Sequence, residues 1–178
     1  MTPEVHEYFG NGTEGTWRRV IAVDPGLGGT GCAYWAEIKR VADTPIMPKR
    51  MKLLVAKRDP DWLHRVWSVR RKFELILKRW RPKLAVIEYQ QLWSGSAVSM
   101  ASASSGDLFK LTLLTGVLAS AANKAKAKVV LVTPGQWKGQ LSKDTTRRRM
   151  VRAFGPSGVF QDHVEDAVGI GLAMQGRL

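Results

Sequence analysis

Val20-Ile21-Ala22-Val23-Asp24-Pro25-Gly26 decides the reading of this chain: four apolar residues end on an acid, and a Pro-Gly turn follows at once. A short apolar run bounded by turn residues reads as a strand, here Arg19–Asp24. The pattern returns in Leu84-Ala85-Val86-Ile87-Glu88, a buried strand between Pro82 and the polar Tyr89-Gln90-Gln91, again closed by an acid. A third acidic group, Asp162-His163-Val164-Glu165-Asp166, opens an apolar, helix-like segment near the C-terminus.

Outward from the first run, Pro25-Gly26-Leu27-Gly28-Gly29 is a tight turn, Thr30–Ile38 the returning strand and Met51–Lys57 a third, together an antiparallel meander. Lys39–Arg50, with two prolines, reads as a protruding loop. Asp59 as N-cap and Pro60 as first helical residue open a helix. Trp62, Val66, Val69, Phe73, Ile76, Leu77 and Trp80 recur along it at helical spacing until Pro82 stops it. A Ser/Gly/Ala stretch, Ser94–Gly106, leads into a second helix over Asp107–Lys124. Val129–Thr133 is the fifth strand. Asp144–Phe154 and His163–Met174 are the last helices, parted by Gly155-Pro156-Ser157-Gly158. Residues 1–16 are polar and aperiodic and read as a flexible tail, leaving 17–178 as a single domain large enough to bury a core without staples.

If the first three strands are antiparallel and later ones join by right-handed crossovers, the sheet is mixed and five-stranded, ordered 3-2-1-4-5, with helices on both faces. The strands ending at Asp24 and Glu88 then lie side by side and parallel, and their carboxylates share one edge. Such a pair repels by about 4 kcal/mol at ~4 Å and an effective dielectric near 20, so the site is tolerable mainly with cations in it.

Each acid also has an ordinary reading. Asp24 before Pro-Gly is good turn chemistry. Asp162 serves equally as the N-cap of the last helix. Glu88 is harder to dismiss, because a charge closing a buried strand must find a partner. His163 and Asp166, three apart, share a helical face, as do Asp162 and Asp166, four apart. Glu165 points elsewhere and reads as a solvated residue favoured by the helix dipole.

The net charge is +13 and the pI ≈ 10.3. Residues 39–83 hold 15 Lys/Arg against four acids and residues 138–152 six against one, whereas residues 1–38 hold two against five. Basic blocks of this kind suit a polyanion, or simply a solvated basic surface. An acidic pocket inside a basic surface points to an enzyme acting on nucleic acid. The lone Cys32 reads as a small buried hydrophobe in a reducing, cytoplasmic compartment. No secretory leader is visible and no run of 18 apolar residues exists, so no membrane partner is expected.

Ile21-Ala-Val-Asp24-Pro-Gly, Ala85-Val-Ile-Glu88 and His163-Val-Glu-Asp166-Ala-Val-Gly-Ile-Gly, in this order and spacing, resemble the RuvC-type Holliday junction resolvases of the RNase H-like nuclease superfamily. The resemblance runs from about Arg19 to Gln175 and takes in Gly116-Val-Leu-Ala and Thr133-Pro-Gly-Gln-Trp-Lys138. It implies an RNase H-like fold and metal-dependent endonucleolytic resolution of four-way DNA junctions. It also implies a homodimer, since two symmetric cuts need two sites; the second helix, with Leu108, Leu111, Leu114 and Leu118, could supply the packed face. The four acidic-site positions fall on Asp24, Glu88, His163 and Asp166, with Asp162 competing with His163 for metal contact.

Two Mg²⁺ ions about 3.5–4 Å apart, with Mn²⁺ as substitute, would activate water and stabilise the leaving oxygen. Asp24 would bridge them and Glu88 and Asp166 would each hold one. His163 would be a ligand or move a proton. Lys138 or Lys143 would steady the charged transition state. Tyr89 or Trp93 would touch the junction core, Trp93 serving equally as a packed cap residue. Arg70-Arg71-Lys72, Lys78-Arg79 and Arg147-Arg148-Arg149 would hold phosphates of the arms.

Three other readings compete. The same fold could cut flap DNA, an RNA·DNA hybrid or RNA. Asp24-Pro-Gly-Leu-Gly-Gly-Thr-Gly31 is also similar to the first phosphate loop of sugar-kinase and actin-like ATP-binding domains, although those need two domains around a cleft. A non-catalytic DNA-binding module would leave the gathered acids without a purpose.

Overall fold

A computed structural model describes residues 3–9, 15–40, 44–56, 59–90, 101, 104–155 and 161–178. Among them the strands are β1 (Thr16–Asp24), β2 (Thr30–Lys39), β3 (Arg50–Leu54), β4 (Leu84–Glu88) and β5 (Lys128–Val132). The helices are α1 (Pro3–Phe9), α2 (Trp62–Trp80), α3 (Asp107–Lys124), α4 (Pro134–Trp137), α5 (Lys143–Phe154) and α6 (Asp162–Met174). The sheet order is β3-β2-β1-β4-β5, with β1–β2 and β2–β3 antiparallel and β1–β4 and β4–β5 parallel, as the sequence pattern implies.

Side chains alternate across a strand, and this sheet is covered on both faces, so residues 20–23 of β1 and 84–87 of β4 are apolar at every position. Val20, Ala22, Trp35, Val86 and Val130 face a core shared with α1, α5 and α6. Ile21, Val23, Tyr34, Ala85 and Ile87 face α2 and α3. The stripe read from α2 is buried there from Val66 onward, with Val69, Phe73, Ile76, Leu77 and Trp80, and Trp62 is half-buried at its start. Cys32 is buried as expected.

Three local expectations differ. Helix α2 is capped by Asp61, whose carboxylate accepts from Leu63 N (2.8 Å), not by Asp59. Asp59 instead accepts from Asp61 N (2.9 Å), an Asx turn that delays the helix by two residues. The N-terminal stretch is not all unstructured: Pro3–Phe9 is helical and buries Val5 and Tyr8, with the Tyr8 ring 5.7 Å from that of Trp17. Seven residues are too few to show a period, so the helix rests on its docking. Within the stretch read as a protruding loop, Ile46 is tied down. Its carbonyl accepts from Trp35 Nε1 (2.9 Å) and Gln175 Nε2 (3.1 Å), and its N–H donates to Gln175 Oε1 (2.7 Å). No described helix is long and apolar enough to cross a membrane.

Candidate active site

Alternation fixes where the two acids point. Asp24 lies two residues beyond Ala22 and Glu88 two beyond Val86, so both project to the α6 face. Val23 pairs with Ile87 in the parallel register, which brings the acids to the same level on neighbouring strands, roughly 4.8 Å apart in backbone spacing. Both are buried.

Helix α6 comes down onto this edge because β2 carries a glycine there. Gly31 pairs with Asp24, and a Cβ on it would lie 1.8 Å from the backbone oxygen of His163 and 2.6 Å from Val164 N. With only hydrogen at residue 31, the helix start reaches the sheet, and His163 Nδ1–H donates to Asp24 Oδ2 (2.6 Å). The other edge of the ring lies against Gly26, where a Cβ would meet Nε2 at 2.6 Å. The Pro25–Gly29 turn is held from α2 by Arg65 Nη2, which donates to Leu27 O (2.7 Å).

Glu88 is held from the other side. The short helix α4 places Trp137 so that its Nε1–H donates to Glu88 Oε2 (2.7 Å), while Gln90 Nε2 donates to Oε1 (3.0 Å). The indole fits because α6 has Gly169 beneath it; a Cβ there would meet the ring at 2.7 Å. One helical turn along from His163, Asp166 Oδ1 lies 4.0 Å from Lys138 Nζ. Asp24, Glu88, His163, Asp166, Lys138 and Lys143 line one open cleft of ≈ 600 Å³.

Burial pushes the Asp24 carboxyl above the usual carboxylate range, although His163 pulls it down. Burial, and then the charge of Asp24, push Glu88 up to about 7. The hydrogen bond to Asp24 raises His163. These are the marks of carboxylates gathered in a place poor in water. The proton on Glu88 stabilises the fold in full below its ordinary value of 4.5 and is lost as pH rises through about 7. In EDTA, Glu88→Gln is therefore expected to raise Tm by a few degrees at pH 8 and to change it little near pH 4.5. A pH-independent difference between the two melting curves would contradict this.

The donor set suits a hard divalent cation: Asp24, Glu88 and Asp166 face one cleft, and the first two are short of solvation. Among the described residues no three His, Cys, Asp or Glu side chains already stand close enough to hold an ion. Asp24 is turned to His163, Glu88 to Trp137 and Gln90, and Asp166 towards Lys138. A carboxylate has lone pairs to spare, so these contacts can orient the acids and still leave them able to take a cation.

The remaining candidates are spread more widely. Asp162 is the first residue of α6, not its cap, which is Gln161. It sits exposed at the cleft rim, 3.1 Å from Lys143 Nζ and 3.6 Å from Arg147 Nη2. Glu165, read from sequence as solvated, is buried, and Arg147 grips both its oxygens, with Nη2 2.8 Å from Oε2. Helical spacing within α6 does not show this burial, because the partner comes from α5, 18 residues away. Arg147→Ala should lower Tm by several degrees by stranding that carboxylate, whereas exposed Arg148 should tolerate the same change; equal melting curves would refute the buried role.

Arg148 donates to Thr145 Oγ1 (3.3 Å), and Arg149 is exposed. Arg70 pairs with Glu74 (2.9 Å), Lys72 donates to the Val55 carbonyl, and Arg71 and Arg79 are exposed on α2. Lys78 lies at the far end of α2, away from the carboxylates. Tyr89 is half-buried beyond Glu88, and its N–H donates to Val132 O (2.9 Å). Trp93 lies outside the described residues. Trp137, Gln90 and Arg65 carry no motif of their own in the sequence. A tryptophan before a lysine was the only hint of the first.

Solved structures share this architecture. The Thermus thermophilus RuvC in complex with a Holliday junction substrate has 19% identity and a TM-score of 0.63, over 86% of this chain and 90% of that one. The fowlpox virus resolvase in complex with Holliday junction DNA has 14% identity and a TM-score of 0.53, over 89% and 99%. The yeast mitochondrial Holliday junction resolvase has 13% and 0.60, over 97% and 85%. At these identities the likeness is one of fold, the RNase H-like fold. No family model matches the sequence, and no curated protein does.

Proposed function

We propose that this chain is a metal-dependent, structure-selective endodeoxyribonuclease that resolves four-way (Holliday) DNA junctions by paired, symmetric phosphodiester hydrolysis. The observation that carries the reading is the convergence of Asp24 and Glu88, on one sheet face, with His163 and Asp166 at the start of α6. The resolvase fold of the structural neighbours and the basic surface favour DNA as substrate.

Asp24, Glu88 and Asp166, with His163 or Asp162, would hold Mg²⁺, replaceable by Mn²⁺ and two ions to a site. When bound, these ions would activate water and neutralise the leaving oxygen. The chain's own part is to preorganise. His163 orients the Asp24 carboxylate, Trp137 and Gln90 fix that of Glu88, and Lys138 stands beside Asp166 where a phosphate oxygen would need a cation. Lys143 at the rim is held by Asp162 until a strand competes for it.

The symmetric cuts imply a two-fold homodimer. Leu114 and Leu118, candidates for its interface, are buried in this chain's own core, and Leu108 and Leu111 are half-buried. The exposed ridge of α3 carries Phe109 (68% exposed), its ring edge-on to Trp62, with Thr112 and Gly116.

The test is cleavage of a labelled immobile four-way junction beside matched linear duplex, flap and RNA·DNA hybrid, with and without Mg²⁺ or Mn²⁺. Paired symmetric nicks in the junction alone are expected. Cleavage of flap or hybrid would keep the site and replace the substrate, and metal-independent or absent cleavage would overturn the reading.

A further inference from the structure

A second basic feature lies at the opposite end of the sheet. Arg19, Lys78, Arg81, Lys83, Lys124 and Lys126 line an open cleft of ≈ 640 Å³ whose floor is Leu77, Pro82 and Ala121. Its one acid, Glu74, is taken by Arg70 at 2.9 Å. Lys83 immediately precedes β4, so the cleft stands five residues, about 16 Å, from Glu88 at the strand's other end.

The backbone marks the same place. Among the described residues only three other than glycine have a left-handed φ: Arg19 (56°), Arg81 (48°) and Lys126 (62°). All three line this cleft. Arg81 follows α2, and its N–H closes the helix on Leu77 O (2.9 Å); Lys126 lies two residues beyond α3, and its N–H donates to Asn123 O (2.8 Å). A left-handed residue after a helix is usually glycine, because a Cβ is strained there. This chain accepts the strain at both helix ends and in β1, each time to present a cation to one space. Strained backbone gathered in one place points to function more than to packing.

We propose that this cleft is a second nucleic-acid contact, binding the sugar-phosphate backbone of a strand that runs past the far end of the sheet. Six cations spread over β1, the start of β4 and the ends of α2 and α3 exceed what one phosphate can engage and match a repeating polyanion. Among the described residues no aromatic, Asn or Gln side chain lines the cleft, and its cations are those that engage phosphates, so the contact should be blind to sequence. The choice of DNA as the strand rests on the proposed function; the cleft itself does not.

The double variant Arg81→Gly with Lys126→Gly separates this from a purely structural role. Glycine relieves the left-handed strain, so Tm should hold or rise. Binding of labelled junction in EDTA, followed by anisotropy across a salt series, should weaken roughly tenfold at 0.1 M salt, with the slope of log K against log salt shallower by about 2. Lys49→Ala with Lys52→Ala, on and beside β3, removes the same charge elsewhere and should change the slope far less. Equal slopes for the two double variants, or a lowered Tm with unchanged slope, would overturn the proposal. The second result would leave the cations as partners of the helix C-termini. Wild-type protein that binds no DNA would remove both this contact and the nuclease reading. Wild-type binding and cleavage with an unmoved slope would remove this contact alone.

Discussion

Asp24→Asn is expected to slow metal-dependent cleavage of a four-way junction by on the order of 10³-fold and to leave junction binding intact. Asparagine has the shape of aspartate, and its Oδ1 can still accept from His163 Nδ1 at the 2.6 Å seen for the acid. What disappears is the charge at the point where β1, β4 and α6 meet. The acid is buried and its affinity for a proton is already raised by that burial, so its charge is costly to the fold and worth keeping only for its work. The variant should therefore melt no lower than wild type in EDTA, and Mg²⁺ should stabilise it less than it is expected to stabilise wild type. Single-turnover cleavage, a binding titration and two melting curves suffice. Undiminished cleavage would remove Asp24, and the site built around it, from the chemistry.

Gly31→Ala should be the more damaging change to the molecule as a whole. Its Cβ would sit 1.8 Å from the His163 carbonyl oxygen and 2.2 Å from the carbonyl carbon, and both atoms are backbone. No rotamer can relieve that overlap, so either β2 or the first turn of α6 must move. Overpacking a rigid place typically costs 1–3 kcal/mol, and the backbone contact puts this case at about 3 kcal/mol or beyond. Urea unfolding would read the loss. In the fraction still folded, His163 and Asp166 are carried away from Asp24 and Glu88, so cleavage should fall with binding retained. Gly171→Ala is the control for packing alone: its Cβ would meet the Trp35 ring at 2.3 Å, on the buried length of α6 away from the acids. If Gly31→Ala leaves stability and cleavage as they were, the close approach of α6 is not what assembles the site.

Much of this was legible in the chain because strands alternate. Once the apolar runs at 20–23 and 84–87 are read as neighbouring parallel strands, the residues that end them have no choice of level and little of face. The start of α6 was visible as an acidic cluster before an apolar stretch. Trp137 was not, because a tryptophan near a strand end reads as core, and the hydrogen bond to Glu88 spans 49 residues. Glu165 was misread for a similar reason: helical spacing says which face a residue is on, not what another helix brings to that face. Helix α1 leaves no periodic trace in seven residues. The left-handed basic residues break the expectation that glycine occupies such positions, and only the backbone reveals them.

The single thiol of the chain has a practical consequence. Cys32 is fully covered near the start of β2, and burial, with Asp24 nearby, pushes it well above the ordinary thiol range. A thiol reagent attacks the exposed thiolate, and the native fold offers it neither exposure nor ionisation here. The protein is thus a ready background for site-directed chemistry: a cysteine placed on any exposed helix face would be the one reactive thiol. A dye, spin label or cross-linker could report from that chosen point without first removing a native residue.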